Sequence, residues 1–104
     1  MMTVTDLGNN QFDIKLDKLF DFESHKDFKT HIHEVMEKKP ARITLNFDNV
    51  EYLDSSALGM LMLAKHEAET RNCQIAITNL HEGHPKKVLE LMKFHQLFTI
   101  QMAA

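Results

Sequence analysis

Polar and apolar residues alternate in two stretches of the chain, Gln11–Asp17 and Ala41–Phe47. Because successive side chains of a strand point to opposite faces, the alternation predicts two strands that each bury one face. Thr3–Leu7 is predicted to pair with the first of them across a hairpin turn at Gly8–Asn10. Cys73–Thr78 is predicted to form the next strand along the chain.

Three helices are predicted between and after these strands. The first covers Ser24–Lys39, where apolar residues recur with helical spacing, and it ends at Pro40. The second begins at Ser55 and runs to about Thr70, and the third covers His84–Phe94. The side chains expected to face the core are Phe28, Ile32, Val35 and Met36 in the first helix and Val88, Leu91 and Met92 in the third.

The order of elements is therefore β-β-α-β-α-β-α, and Leu97–Met102 adds a short strand or a terminal helix. Strand–helix–strand steps of this length imply parallel neighbours joined by right-handed crossovers. The strands alternate instead of being apolar throughout, which indicates that the helices lie mainly on one face of the sheet. The pattern predicts an α/β fold and argues against a doubly wound nucleotide-binding fold.

Length and composition narrow the class of protein. The 104 residues fit one domain covering 1–104, and 43% hydrophobic and 26% charged residues are ordinary values for a globular protein. A net charge of −3 gives no basic surface for nucleic acid. The lone cysteine, Cys73, excludes an internal disulfide and fits a reducing compartment. With no signal pattern and no apolar run near the ~20 residues of a membrane span, we expect a cytoplasmic protein without a membrane partner.

Asp54, Ser55 and Ser56 stand at the start of the second helix. A serine nucleophile is not indicated, because the Gly-x-Ser-x-Gly elbow is absent, and a phosphate-binding loop is not indicated, because its glycines and lysine are absent. Two interpretations remain open. The hydroxyls cap the helix, or Ser55 is a phosphorylation site, since the first helical turn favours the added negative charge.

The second helix carries apolar side chains on all sides. Such a helix is either enclosed in the core or leaves one side for a partner, and both interpretations remain open. Met60 and Met62 are assigned to the adaptable outer side. Gly59 costs about 1 kcal/mol against alanine and is expected to pack closely against the sheet or a partner backbone. The apolar residues of the helix are Ala57, Leu58, Met60, Leu61, Met62, Leu63 and Ala64.

Seven histidines raise the question of a metal site. His31 and His33 lie two positions apart on a helix and point to different sides. His81 and His84 lack a cysteine or clustered acids that would complete a ligand set. We therefore expect solvated histidines and neither a metal nor another cofactor.

The run Leu45–Gly59, with an Asp-Ser-Ser-Ala-Leu-Gly turn after an apolar strand, resembles the signature of STAS domains, specifically of bacterial anti-sigma factor antagonists. The resemblance extends over essentially the whole chain. It implies a mixed sheet of four to five strands, three to four helices mainly on one face, and no catalytic activity. It also implies that a serine kinase of the anti-sigma type phosphorylates Ser55, and that a Ser/Thr phosphatase of the metal-dependent class reverses the modification. The unphosphorylated form would bind the kinase or anti-sigma factor and release what that partner sequesters.

The resemblance also implies a partner surface around Ser55. Asp21 matches the family's loop acid before the first long helix and is expected to be exposed at the same end of the sheet as Ser55. Phe20 and Phe22, on either side of Asp21, are expected to cover the core. The residues assigned to partner binding are Asp21, Asp54, Ser56, Ala57, Leu58, Met60 and Met62.

Two residues depart from the family pattern. Ala57 replaces the usual glycine of the turn, and Lys18 stands where the family usually has glycine in the loop before Asp21. The resemblance also leaves a second function open, because some STAS domains are accessory subunits of lipid-transport complexes: the chain would then be a constitutive subunit that uses no phosphorylation. A Ser55→Ala change separates the two, because it abolishes regulation in a switch and leaves a constitutive subunit assembled.

Overall fold

The computed structural model describes residues 1–104. The strands are β1 (Thr3–Gly8), β2 (Gln11–Lys15), β3 (Leu19–Phe20), β4 (Arg42–Asn46), β5 (Tyr52–Leu53), β6 (Gln74–Leu80) and β7 (Thr99–Met102), and the helices are α1 (His25–Glu37), α2 (Ser55–Thr70) and α3 (His84–Leu91). The main sheet has the order β1-β2-β4-β6-β7, with β1 antiparallel to β2 and the later neighbours parallel. None of the helices combines the length and the apolar character needed to cross a bilayer.

The alternating strands bury one face of this sheet. Ile14, Leu45 and Ile77 lie side by side on β2, β4 and β6, and all three are fully buried. On the opposite face, Asp13 accepts a hydrogen bond from the hydroxyl of Thr44, with 2.6 Å between the oxygens. The predicted α/β architecture, with a mixed five-stranded sheet and three helices, is confirmed. The predicted core residues of the first helix are all buried: Phe28, Ile32, Val35 and Met36.

Two short strands were not predicted. Leu19–Phe20 pairs in parallel with Tyr52–Leu53 as a separate two-stranded sheet. Two residues are too few to show a period, so the sequence gives no signal for this pairing. The pairing places the loop before α1 beside the residues that lead into α2. At the C-terminus, the strand alternative is the correct one, since Thr99–Met102 pairs with β6.

The predicted core face of the third helix is wrong in part. Leu91 is 80% exposed and Met92 is exposed as well, while Leu89 is buried and Val88 is half-buried. The helix ends at Leu91, and Lys93 takes a left-handed conformation with φ of 59°, so the chain turns before a further helical turn can pack. The side of the helix that faces the core is therefore formed by Pro85 and Leu89, with Val88 at its edge.

The prediction that Gly59 packs closely against the sheet or a partner backbone is also not met. It is exposed, and a Cβ added to it would meet no atom within 4 Å. Because the residue lies inside α2 with room for a side chain, Gly59→Ala should raise the free energy of unfolding by about 1 kcal/mol. Urea denaturation monitored by circular dichroism measures the change. An unchanged midpoint would mean that glycine costs no stability at this position, and a lower midpoint would contradict the space for a side chain there.

Candidate functional site

Asp54 connects β5 to α2 and caps the helix. It has an extended backbone, and its Oδ1 accepts a hydrogen bond from the N–H of Ala57 at 3.0 Å. Its second oxygen, Oδ2, accepts from the N–H of Phe22 at 3.2 Å. One carboxylate therefore satisfies the first turn of α2 and holds the loop before α1 against it.

Ser55 is the first residue of α2, and its side chain is exposed. The capping interpretation is wrong for the serines, because the carboxylate of Asp54 is the group that caps the helix. Ser56 follows at the second helical position and is half-buried. The Ser55 hydroxyl thus faces solvent at the end of a helix where the dipole favours negative charge.

Asp21 lies beside this turn but is less accessible than expected. Its residue is half-buried, and its Oδ1 accepts from the N–H of Glu23 at 3.0 Å, which caps the short 3₁₀ turn Phe22–Ser24. The hydroxyl of Ser24 completes the cap, because it accepts from the N–H of Asp21 at 3.2 Å. The side chain therefore orders the loop whose next residue, Phe22, is bonded to Asp54.

Large apolar side chains are exposed on the segments that lie next to the start of α2. Phe22 is 70% exposed, so its expected role of covering the core is wrong, whereas Phe20 is fully buried as predicted. Leu19 and Tyr52, which are neighbours in the two-stranded sheet, are also exposed. We call Leu19, Phe22 and Tyr52 the apolar rim. The sequence did not identify Leu19 and Tyr52 as surface residues. Their exposure depends on the pairing of β3 with β5, for which the sequence has no pattern.

The partner-binding roles assigned to Ala57 and Met60 are wrong. Ala57 is 0% and Met60 4% exposed, because both lie on the core face of α2 together with Leu61 and Ala64. The helix therefore has a buried side and an outer side, which resolves the two interpretations of its apolar pattern. The apolar residues outside the core are Leu58, half-buried, and Met62 and Leu63, both exposed.

A polar cleft follows the carboxyl ends of the parallel strands. Asp48, after β4, lies 2.8 Å from the Nε2 of His81, after β6, and 3.7 Å from the Nζ of Lys15. The hydrogen bond with His81 and the charge of Lys15 hold the pKa of Asp48 below its usual value. Across the cleft, His84 stacks on the ring of Tyr52 with 4.8 Å between ring centres. Tyr52 of the apolar rim thus contacts the first residue of α3.

Metal ligands do not converge at this site. No group of three or more histidine, cysteine or carboxylate side chains is arranged to hold an ion anywhere in the chain. Six of the seven histidines are exposed, and the exception, His31, is half-buried.

The profile of the STAS domain family matches residues 3–103, and the chain belongs to this family. It is 39% identical to a STAS-domain containing protein of Pseudomonas aeruginosa strain UCBPP-PA14 over 84% of each chain.

Solved structures share the fold at much lower identity. An anti-sigma factor antagonist from Mycobacterium paratuberculosis matches with a TM-score of 0.85 and 14% identity, over 97% of this chain and 84% of that one. SpoIIAA of Bacillus, an anti-sigma factor antagonist solved in unphosphorylated and phosphorylated forms, matches its unphosphorylated form with a TM-score of 0.75 and 17% identity, over 100% and 89% of the chains. A sulfate transporter family protein from Wolinella succinogenes matches with a TM-score of 0.81 and 14% identity, over 93% and 80%.

Proposed function

We propose that this chain is an anti-sigma factor antagonist that changes partners when Ser55 is phosphorylated. The observation that carries the proposal is the exposed Ser55 hydroxyl, which the helix does not use because Asp54 caps α2. A kinase can therefore modify the serine without removing an interaction of the fold. The protein would act in the cytoplasm by binding and not by catalysis.

The apolar rim supports a docking role for the same surface. Leu19, Phe22 and Tyr52 offer apolar area to a partner, and burial of such area stabilises a complex. Phosphate would add about −1.5 to −2 charges beside the carboxylate of Asp54. A charge of this size inside a desolvated interface opposes docking, because the partner must then cover an uncompensated anion.

The partners follow from this mechanism. A serine kinase of the anti-sigma type would bind the unphosphorylated form, and a Ser/Thr phosphatase of the metal-dependent class would restore that form. SpoIIAA, an anti-sigma factor antagonist known in both phosphorylation states, supports the proposal by its shared fold.

The test is a pull-down from host lysate with four baits: wild type, Ser55→Ala, Ser55→Asp and Ser56→Ala. The proposal expects one kinase-like partner with wild type, Ser55→Ala and Ser56→Ala, and at least about tenfold less of it with Ser55→Asp, which corresponds to ~1.4 kcal/mol of lost binding. Ser56→Ala is the matched control, because it removes the neighbouring hydroxyl of the same helix turn. The intact mass of the recovered baits should show one phosphate on wild type and Ser56→Ala only.

A constitutive role in transport is the second candidate function. It is favoured by the likeness to a sulfate transporter family protein, which shows that the same fold occurs in a transport context. In that role all four baits would recover the same partners, and none would gain mass. This result would replace the phosphorylation switch with an accessory subunit.

A further inference from the structure

A groove of about 390 Å³ runs between α1 and α2, on the outer side of the helical layer. Its floor is apolar and is formed by Phe28 and Ile32 of α1 and by Met60 and Ala64 of α2. At its mouth stands Leu63, which is 67% exposed. The groove is separate from the surface around Ser55, because none of its lining residues belongs to the apolar rim.

The ionisable side chains along the groove are one lysine, one glutamate and three histidines. His25, Lys29 and His33 line it from α1, and His66 and Glu67 line it from α2. Glu67 is the only carboxylate among the lining residues, and it is already compensated, because its Oε1 lies 3.7 Å from the Nε of Arg71 and 3.9 Å from the Nδ1 of His33. Lys29 has no carboxylate within ion-pair distance. The groove therefore offers an uncompensated cation, and histidines that add charge when protonated.

The dimensions of the groove fit a helix. From His25 to His33, α1 rises about 12 Å, and from Met60 to Thr70, α2 rises about 15 Å, at 1.5 Å per residue. Walls of this length correspond to two to three turns of a third helix. An apolar floor with charged edges is the arrangement that binds one face of an amphipathic helix.

We propose that the groove between α1 and α2 binds an amphipathic helix of a partner protein, whose apolar face packs on the exposed Leu63 above the buried floor and whose flanking acidic residues pair with Lys29 and the neighbouring histidines. The charge complementarity selects this occupant over a basic helix, because Lys29 would repel one. The site does not depend on phosphorylation of Ser55. It gives the chain a second surface for a partner.

The experiment uses the full chain and a designed probe. The probe is an N-acetylated, C-amidated peptide of about 15 residues with leucines at positions i, i+4, i+7 and i+11 and glutamates beside them, a pattern that forms one apolar helix face. A second peptide carries lysines in place of the glutamates. Methyl NMR titrations should show shifts of Ile32, Met60 and Leu63 with the glutamate peptide and markedly smaller shifts with the lysine peptide.

Two pairs of variants test the site itself. Lys29→Glu should weaken binding of the glutamate peptide about fivefold, whereas Lys26→Glu, the same charge change on the same helix but outside the groove lining, should leave it unchanged. Leu63→Ser should weaken binding about tenfold, whereas Leu91→Ser, at a leucine of α3 that is also largely exposed, should not.

Three results would overturn the proposal. The first is equal affinity for the two peptides, or insensitivity to Lys29→Glu, which would remove the charge argument. The second is the absence of methyl shifts with the glutamate peptide at about 1 mM, where even weak docking is detectable. The third is a set of concentration-dependent shifts of the Leu63 methyls in the chain alone, because a second copy would then occupy the groove.

Discussion

Replacing Phe20 by alanine should lower the free energy of unfolding by about 4 kcal/mol, because a fully buried ring is removed and the cavity left behind collapses only in part. The ring lies 5.2 Å from that of Phe28 on α1 and 6.4 Å from that of Phe47, which follows β4. Three separate segments therefore lose contacts at once. A loss of this size is a large share of the 5–15 kcal/mol that stabilises a typical domain.

Two control variants separate the fold from the site in this experiment. Phe20→Leu keeps most of the volume and should cost only about 1 kcal/mol. Phe22→Ala, two residues away, removes a side chain that is 70% exposed and should change stability by less than about 0.5 kcal/mol. The Phe22 variant should instead weaken partner recovery in the pull-down. Urea denaturation of the three variants gives the comparison, and equal losses for Phe20→Ala and Phe22→Ala would contradict the burial that the structure assigns.

Replacing Asp54 by alanine should lower the free energy of unfolding by about 2 kcal/mol, since it removes the cap of α2 and the hydrogen bond to the N–H of Phe22. In a domain of this size, that loss corresponds to a fall in Tm of about 10 °C. The loop between β3 and α1 should also become more mobile, because Oδ2 of Asp54 is its connection to the first turn of α2.

Asp54→Asn is the matched variant for this prediction. Its single side-chain oxygen can still cap α2 by accepting from Ala57, but its amide nitrogen cannot accept from Phe22. It should therefore retain about half of the stability that alanine loses. Amide hydrogen exchange reports the two bonds separately, with faster exchange at Ala57 and Phe22 in the alanine variant and at Phe22 alone in the asparagine variant. Unchanged exchange at Phe22 in both variants would contradict the link between loop and helix.

The secondary structure and burial of residues in long periodic segments could be predicted from the sequence. The strands around Ile14 and Leu45 and the four buried positions of α1 follow a regular spacing, which reports the burial of one face directly. The helix α2 begins at Ser55 as predicted, because a polar residue before an apolar run is a local capping signal. The third helix was less predictable, since its end at Leu91 depends on a left-handed turn at Lys93.

The candidate site, by contrast, could be predicted only in part from the sequence. Sequence could place Asp54 and Ser55 at a helix start, but it could not decide which of them caps the helix. It also assigned Ala57 and Met60 to the surface, where α2 in fact turns them into the core. An apolar residue on a helix that is apolar on all sides carries no periodic signal for its exposure.

The α/β class, the order of the main elements and the position of Ser55 at the start of a helix follow from local sequence patterns, because each depends on neighbours within a few residues. The exposure of individual apolar side chains and the hydrogen bond from Phe22 to Asp54 come from the packing of distant segments, since that bond joins residues 32 positions apart. The groove between α1 and α2 likewise depends on the packing of distant segments. Its two walls come from separate helices, and their charges combine only when the helices pack side by side.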